Sequence, residues 1–246
     1  MKKALLLLLC YASFALSQAQ APGFPCPEKL TYQVEWRFVN AGTATVQLVR
    51  EAAPNGWNFN LNIVSAGLVS RLYPVLDNYK ISTTDRFCLV NATLDAQEGK
   101  KHSVSKLNVD RTHNRLTFDE HDLLHNRSET KNLDIAPCTY EIAGALASVR
   151  TSNLEPGRSI TLPVTDGKKF VQAKLTAQAR EPLTVAGKTY QTTRYEAFLF
   201  DNVLYRRHGR LLMWVSNDAD RLPVQFRMML GFPIGTVTVS LIKQEH

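Results

Sequence analysis

The chain has 246 residues, of which 44% are hydrophobic and 21% charged, with 12 glycines, 11 prolines and four cysteines. This composition is that of a globular protein, and it excludes a disordered, collagen-like or disulfide-framework chain. The formal net charge is +7, but the only basic clusters, at 99–102 and 206–210, are short. We expect them to be solvated hairpin ends and not a nucleic-acid surface. Weak attraction to anionic lipid headgroups or polysaccharides is the alternative.

The N-terminus has the organisation of a secretory signal peptide. Two lysines follow Met1, a mostly apolar run comes next, and small residues follow that run. The sequence predicts a signal peptide at 1–19, a flexible leader at 20–28 and one β-rich domain at 29–246. We expect a periplasmic or secreted mature chain without a transmembrane segment. An uncleaved anchor and lipidation at Cys10 are the alternatives.

Three alternating strands come first in the predicted domain. Even positions from Leu30 to Phe38 are apolar and odd positions are polar, so one face is dry and the other wet. A turn is predicted at 40–42, a second strand at 43–49 and a third at 57–63. Short turns between alternating strands predict an antiparallel meander.

The middle of the chain is less regular. Residues 67–75 predict one or two helical turns ended by Pro74. Weaker, more polar strands follow, and we interpret them as edge strands or a wet part of the same sheet. They are predicted at 79–84, 91–98, 101–109, 115–118 and 127–133.

One convincing helix follows Pro137. Apolar residues recur at helical spacing from Ile142 to Val149, Thr139 is the predicted N-cap, and Arg150 lies in the last turn. A single helix among many strands typically plugs or covers an otherwise open sheet.

Strand patterns resume after this helix. Asp166-Gly167 predicts a hairpin between 158–164 and 170–179, and another pair spans 181–185 and 189–200. Residues 211–215 are apolar on both faces and predict a central strand, and two alternating strands end the chain. The sequence predicts an all-β fold with one short covering helix. Its single curled antiparallel sheet is an up-and-down meander approaching a β-barrel or half-barrel.

Three cysteines remain after the predicted signal peptide, and an oxidising compartment favours a disulfide. Cys88 lies in a strand-like run and Cys138 just before the predicted helix, so these two are the better pair. Cys26 lies in the leader and is left over. The sequence has no CxxC pair, which would have suggested redox chemistry.

Several stretches, in order along nearly the whole mature chain, resemble the bacterial secreted family catalogued as domain of unknown function 3108. The resemblance implies an envelope protein of mostly antiparallel β structure with no established activity and no catalytic residues to transfer. The stretches are Leu30–Arg37 followed by Ala41–Ala44, Leu146–Arg150 with Leu154–Gly157, and Gly209–Asp218 with Arg221–Gln225 and Gly235–Val237.

No segment displays a catalytic apparatus, and we expect neither an enzyme nor a cofactor. The densest polar group is 119–125, in which His121 and His125 would share a face if the segment were helical, and a metal-dependent hydrolase is therefore a second alternative. The segment lacks the HExxH order, and the residues before it predict a strand leading into a solvated turn.

Large aromatic residues on the dry faces of the first and third strands carry the binding hypothesis. A curled sheet with an aromatic interior can enclose an apolar ligand, although such residues also serve as plain core. We predict a lipid-type ligand in the cell envelope. The alternative is a non-enzymatic envelope-assembly or structural protein that binds an envelope protein partner. The candidate ligand-binding residues are Tyr32, Trp36, Phe38, Trp57 and Phe59.

Overall fold

The structure, a computed structural model, describes residues 25–51, 55–197, 209–230 and 235–246. The predicted signal peptide lies outside these residues. The described helices are α1 (Gly67–Leu72) and α2 (Ile142–Thr151). The described strands are β1 (Glu28–Trp36), β2 (Val39–Glu51), β3 (Gly56–Ser65), β4 (Val75–Thr84), β5 (Leu89–Glu98), β6 (Lys101–Asp110), β7 (Arg115–Asp122), β8 (Arg127–Asp134), β9 (Ser159–Thr165), β10 (Phe170–Val185), β11 (Lys188–Ala197), β12 (Arg210–Ser216), β13 (Pro223–Leu230) and β14 (Gly235–Glu245).

All fourteen described strands form one antiparallel sheet. Its order is β8-β7-β6-β5-β4-β3-β2-β1-β14-β13-β12-β11-β10-β9. Strands that follow each other in sequence therefore pair, except β8 and β9, and β1 pairs with β14. The predicted all-β meander with its covering helix is confirmed. The ladder does not close, because β8 and β9 remain its two edges.

The two ends of the sheet are held together by side chains and a short connecting segment. Tyr140 forms a parallel bridge with Val164 of β9, and the preceding carbonyl, of Thr139, accepts a hydrogen bond from the backbone N–H of Leu89 in β5. The β9–β10 turn also packs onto the ring of Phe118 in β7. The sheet therefore curls around an interior without a continuous hydrogen-bonded seam.

The first strand ends earlier than its alternation predicts. β1 pairs with β2 through Trp36 and Val39, which leaves Arg37 and Phe38 as a two-residue hairpin turn. Both have positive φ, 49° and 69°. The turn predicted at 40–42 and the dry-face position predicted for Phe38 are therefore wrong. The apolar pattern continues through the turn, so periodicity does not mark the strand's end.

Helix α2 lies inside the curled sheet. Ala147 packs with the core residues of β2 to β7, whereas Val149 packs with those of β10 to β12. The plug predicted from sequence is confirmed, but its N-cap is Glu141 and not Thr139. The Glu141 carboxylate accepts the Ala143 N–H at 2.7 Å, which satisfies one of the first-turn donors of the helix.

The entry to α2 is fixed covalently. The structure contains the Cys88–Cys138 disulfide, which is the pairing expected from sequence, with a Cα–Cα distance of 5.0 Å and a sequence separation of 50 residues. A cross-link over such a loop is worth about 4 kcal/mol in the chain-entropy account. The third described cysteine, Cys26, is free and exposed.

The predicted central strand at 211–215 corresponds to β12, and both of its faces are covered. Met213 and Val215 pack with the interior residues. Trp214 points to the other face, where its indole N–H donates to a Glu181 carboxylate oxygen at 2.7 Å and the Arg227 guanidinium lies over its ring. A polar layer therefore buries the outer apolar residue of this strand.

Candidate functional site

Three of the five predicted ligand-binding aromatic residues are packed core. Tyr32, Trp57 and Phe59 are buried, Trp36 is half-buried, and Phe38 is 97% exposed. Trp57 stacks on Phe87 with ring centroids 5.4 Å apart, and the Tyr32 hydroxyl donates to the backbone oxygen of Pro223 at 3.0 Å.

The five aromatic residues do not form one site. Trp57 and Phe59 belong to the core between β2 and β7, whereas Tyr32 belongs to a separate cluster around β1, β13 and β14. The packing explains their burial without a ligand. A ligand-binding role for them stays a prediction.

An apolar cleft lies elsewhere, between α2 and the sheet from β9 to β12. Its interior is narrow, about 30 Å³, and it widens to about 390 Å³ only when the space open to solvent is included. Every lining residue is apolar, so the cleft offers bound water no hydrogen-bonding side chain. The lining residues are Ala145, Leu146, Val149, Leu162, Val164, Ala173, Leu175, Ala197, Leu211 and Met213.

The cleft exists because three of its positions carry alanine. Ala145 on α2, Ala173 on β10 and Ala197 on β11 place methyl groups where larger aliphatic side chains surround them. Small side chains at facing positions leave space that neighbouring residues fill only in part. The arrangement presents a small apolar concavity, and its lining has no group suited to acid–base chemistry.

A buried ion pair fixes α2 beside the cleft. The guanidinium of Arg150, in the last turn, donates to both carboxylate oxygens of Glu28 at 2.6 and 3.0 Å. Arg150 also donates to the backbone oxygens of Arg221 and Asp220. In return, the Arg221 side chain donates to the carbonyl oxygens of Arg150 and Ser152. Helix α2 is thereby joined to the first strand and to the β12–β13 turn.

This ion pair has no clear signature in the sequence. Glu28 falls at the end of the predicted flexible leader, but in the structure it begins β1 and is 2% exposed. From the sequence, Arg150 is only a basic residue in the last turn of a helix. A charged residue directly before an alternating strand is a weak signal, and only the fold brings its partner, 122 positions away, into contact.

Two buried or half-buried carboxyl groups have raised pKa values. Burial raises the pKa of Asp77 in β4 to about 6, aided by the nearby charges of Glu98 and Asp95 and opposed by the N–H of Gln97. Burial also raises the pKa of Glu141 to about 7, against the stabilising N–H groups of Ala143 and Ile142. Neither carboxyl group lines the cleft.

The histidine segment is not helical. His121 lies in β7 and contacts the Ser128 hydroxyl at 2.9 Å, whereas His125 lies in the following turn and contacts Asp122 at 2.8 Å. Because the two rings do not share a helix face, the geometric premise of the metal alternative is not met. Among the described residues, no group of three or more His, Cys, Asp or Glu is placed to hold a metal ion.

The basic clusters differ in what can be described. Residues 99–102 lie at the β5–β6 turn, as expected for a solvated hairpin end. Most of the cluster at 206–210 lies outside the described residues. In the described part of the chain, no helix has the length and apolar character needed to cross a bilayer.

Comparison with known proteins identifies a family. The family described as "Protein of unknown function (DUF3108)" matches residues 31–242. The chain belongs to this DUF3108 family. The resemblance noted from the ordered sequence stretches is therefore confirmed, and no curated protein matches the chain.

One solved structure shares the fold of this DUF3108 protein. One similar structure is a β-barrel-like protein of domain of unknown function DUF1849 from Brucella abortus, with a TM-score of 0.58, 8% identity, and coverage of 89% of this chain and 97% of that one. Another is a putative lipoprotein from Parabacteroides distasonis, with a TM-score of 0.32, 9% identity, and coverage of 93% and 100%. At these identities, the first match indicates a shared fold alone.

Proposed function

We propose that this DUF3108 protein binds a lipid-type apolar ligand in the cell envelope, and that it does so without catalysing a reaction. The observation that carries the proposal is the wholly apolar cleft between α2 and β9–β12. Ligand sites are mostly apolar concavities in rigid scaffolds. Here the rigidity comes from the disulfide before α2 and the ion pair at its last turn.

The cleft also lies toward one end of the sheet. Val164 of β9, Ala173 of β10, Ala197 of β11 and Leu211 of β12 all lie near the end that carries the β9–β10 turn. A ligand with a polar head and an acyl chain would place the chain among these side chains and keep the head toward that end, where it remains hydrated.

A periplasmic or secreted location fits the proposal. The Cys88–Cys138 disulfide is of a kind that persists in oxidising compartments. The order of charged, apolar and small residues at the N-terminus predicts export. An acyl-chain ligand is a chemical class that the envelope supplies.

The assembly alternative receives less support from the sheet edges. Edge strand β8 carries charged side chains at Arg127, Glu129, Lys131 and Asp134, a pattern that discourages pairing with another strand. The other edge, β9, is partly covered by the Tyr140 segment. Neither described edge is a long apolar strand awaiting a partner.

The test is a fluorescence titration with dansyl-undecanoic acid, a fatty acid probe. We expect a blue-shifted, saturable signal with the purified protein and at least about tenfold weaker binding by Ala145→Leu, because the added side chain fills the cleft. Ser148→Leu is the matched control, since Ser148 is on the same helix but does not line the cleft. Equal binding by Ala145→Leu and the unaltered protein would contradict the proposal.

A further inference from the structure

Exposed apolar side chains are concentrated at one end of the sheet. Among the described residues ten large hydrophobic side chains are exposed, and nine of them lie where the β1–β2, β3–β4, β5–β6 and β7–β8 connections meet. The tenth, Ile242, lies on β14. We call the nine residues the apolar rim: Phe38, Val39, Val64, Leu68, Leu72, Tyr73, Leu76, Leu123 and Leu124.

Phe38 shows that the rim is not a by-product of packing. It occupies the second position of the β1–β2 turn at φ 69°, a conformation that favours Gly and is costly for a bulky residue. Phe87 also has positive φ, at 63°, but it is 2% exposed and stacks on Trp57. At Phe87, packing offsets the conformational cost of the positive φ. At Phe38 no packing offsets that cost, because the side chain projects into solvent.

Helix α1 adds an apolar surface to the rim. It has no buried residue, and Leu68 and Leu72, one helical turn apart, are both exposed. The following Tyr73 ring packs over Gly99 in the β5–β6 turn. The helix therefore covers the sheet end while presenting leucines outward, which is unusual for a six-residue helix whose stability depends on burial.

Basic residues surround the rim. The described turns at this end carry seven Lys or Arg against three Asp or Glu, counted over 36–39, 66–76, 98–101, 122–127 and 165–170. Four described turns at the opposite end, 85–88, 110–115, 185–188 and 216–223, together carry five Lys or Arg against four Asp or Glu. Apolar side chains within a basic border are the pattern of surfaces that insert into an anionic bilayer.

We propose that the apolar rim docks on the surface of an anionic lipid bilayer. Phe38, Leu68 and Leu72 enter the headgroup region, and cations including Arg71 and Lys100 contact the lipid phosphates. The inference rests on exposed residues and turn geometry, independently of the cleft. It places the protein with the cleft end of its sheet toward the membrane.

The test is flotation of the purified protein with vesicles of phosphatidylcholine, alone or with a minority of phosphatidylglycerol. We expect binding to the anionic vesicles that weakens with salt. The double variant Phe38→Ser/Leu72→Ser should bind at least about tenfold more weakly, and Arg71→Glu/Lys100→Glu should lose the preference for anionic vesicles.

Two controls match these variants. Ile242→Ser removes an exposed apolar side chain outside the rim, and Arg111→Glu reverses a charge at the opposite end; both should bind as the unaltered protein does. Circular dichroism checks that each variant is folded. Ala145→Leu should bind vesicles as the unaltered protein does, even if it no longer binds the fatty acid probe. The rim and the cleft are therefore tested separately.

Three results would overturn the docking proposal. The first is no binding of the unaltered protein to either vesicle, and the second is unchanged binding by Phe38→Ser/Leu72→Ser. The third is self-association, measured by analytical ultracentrifugation, that the rim variant abolishes while vesicle binding is unaffected; the rim would then be an interface with a second copy.

Discussion

Glu28 and Arg150 form a bidentate ion pair inside the protein, although 122 positions separate them in the chain. They are 2% and 6% exposed. The pair joins the first residue of the sheet to the last turn of the helix that plugs it. Removing one partner would leave an uncompensated charge in the interior.

We therefore expect Arg150→Met to lower the free energy of unfolding by about 3–5 kcal/mol. Arg180→Met is the control, because one Arg180 nitrogen donates to both Glu155 carboxylate oxygens, at 2.7 and 2.8 Å, in an exposed position. The loss of this exposed pair should cost less than about 1 kcal/mol. Urea unfolding measures both. Similar losses in the two variants would show that the buried pair does not hold α2.

In the β1–β2 turn, we expect a substitution that stabilises the protein. Phe38→Gly should raise the free energy of unfolding by about 0.5–1 kcal/mol, because glycine adopts the positive φ without strain and no packing is lost. Phe87→Gly, at a similar φ but buried, should instead cost about 3–5 kcal/mol. If Phe38→Gly destabilises the protein in urea, the side chain has a packing role inconsistent with its exposure.

Asp77 predicts a pH dependence of stability. Its pKa is raised from 3.8 to about 6 in the folded state, so the folded protein retains a proton that the unfolded chain releases. Stability contributed by the protonated group is therefore present below about pH 4 and lost as pH rises through about 6, by roughly 3 kcal/mol in all.

Asp77→Asn isolates this contribution, since its amide oxygen can still accept the Gln97 N–H. The variant should gain stability relative to the unaltered protein at pH 8 and show little gain at pH 4, by urea unfolding at both values. Comparing the gains cancels other titrating groups, including Glu141. Equal effects at the two pH values would mean that the Asp77 pKa is not raised.

The two buried alanines of α2 should respond differently to enlargement. Ala145→Leu should change the free energy of unfolding by less than about 1 kcal/mol, because the new side chain enters the cleft. Ala147→Leu should cost about 1–3 kcal/mol, since Ala147 packs among the β2–β7 core residues. Thermal unfolding of the pair checks this, and an equal cost would indicate that the cleft is too narrow to accept a side chain.

The strands and their order could be predicted from the sequence more fully than the candidate sites. From Leu30 onward, apolar and polar residues alternate along the chain, and this pattern of neighbouring residues is enough to predict the strands and the meander. The end of β1 could not be predicted, because Phe38 continues the apolar pattern through a turn that lacks the usual Asn-Gly. The N-cap was also missed, since Thr139 is a better intrinsic cap than Glu141.

The cleft and the ion pair depend on contacts between distant residues. Ala145, Ala173 and Ala197 look like ordinary strand and helix residues, and only their convergence leaves empty space. The aromatic residues predicted to bind a ligand were reasonable candidates because of their size, but size also suits a core, and Trp57 and Phe59 are packed there. Hydrophobicity indicates which residues are buried, but it does not indicate where their packing leaves a cleft.

Native mass spectrometry of the protein purified without lipid-stripping detergent can detect an acyl-chain ligand in the cleft. We expect the unaltered protein and Ser148→Leu each to carry an added mass that solvent extraction identifies as an acyl lipid, and Ala145→Leu to carry none. Bare protein in every case, or the same lipid retained by Ala145→Leu, would contradict acyl-chain binding in the cleft.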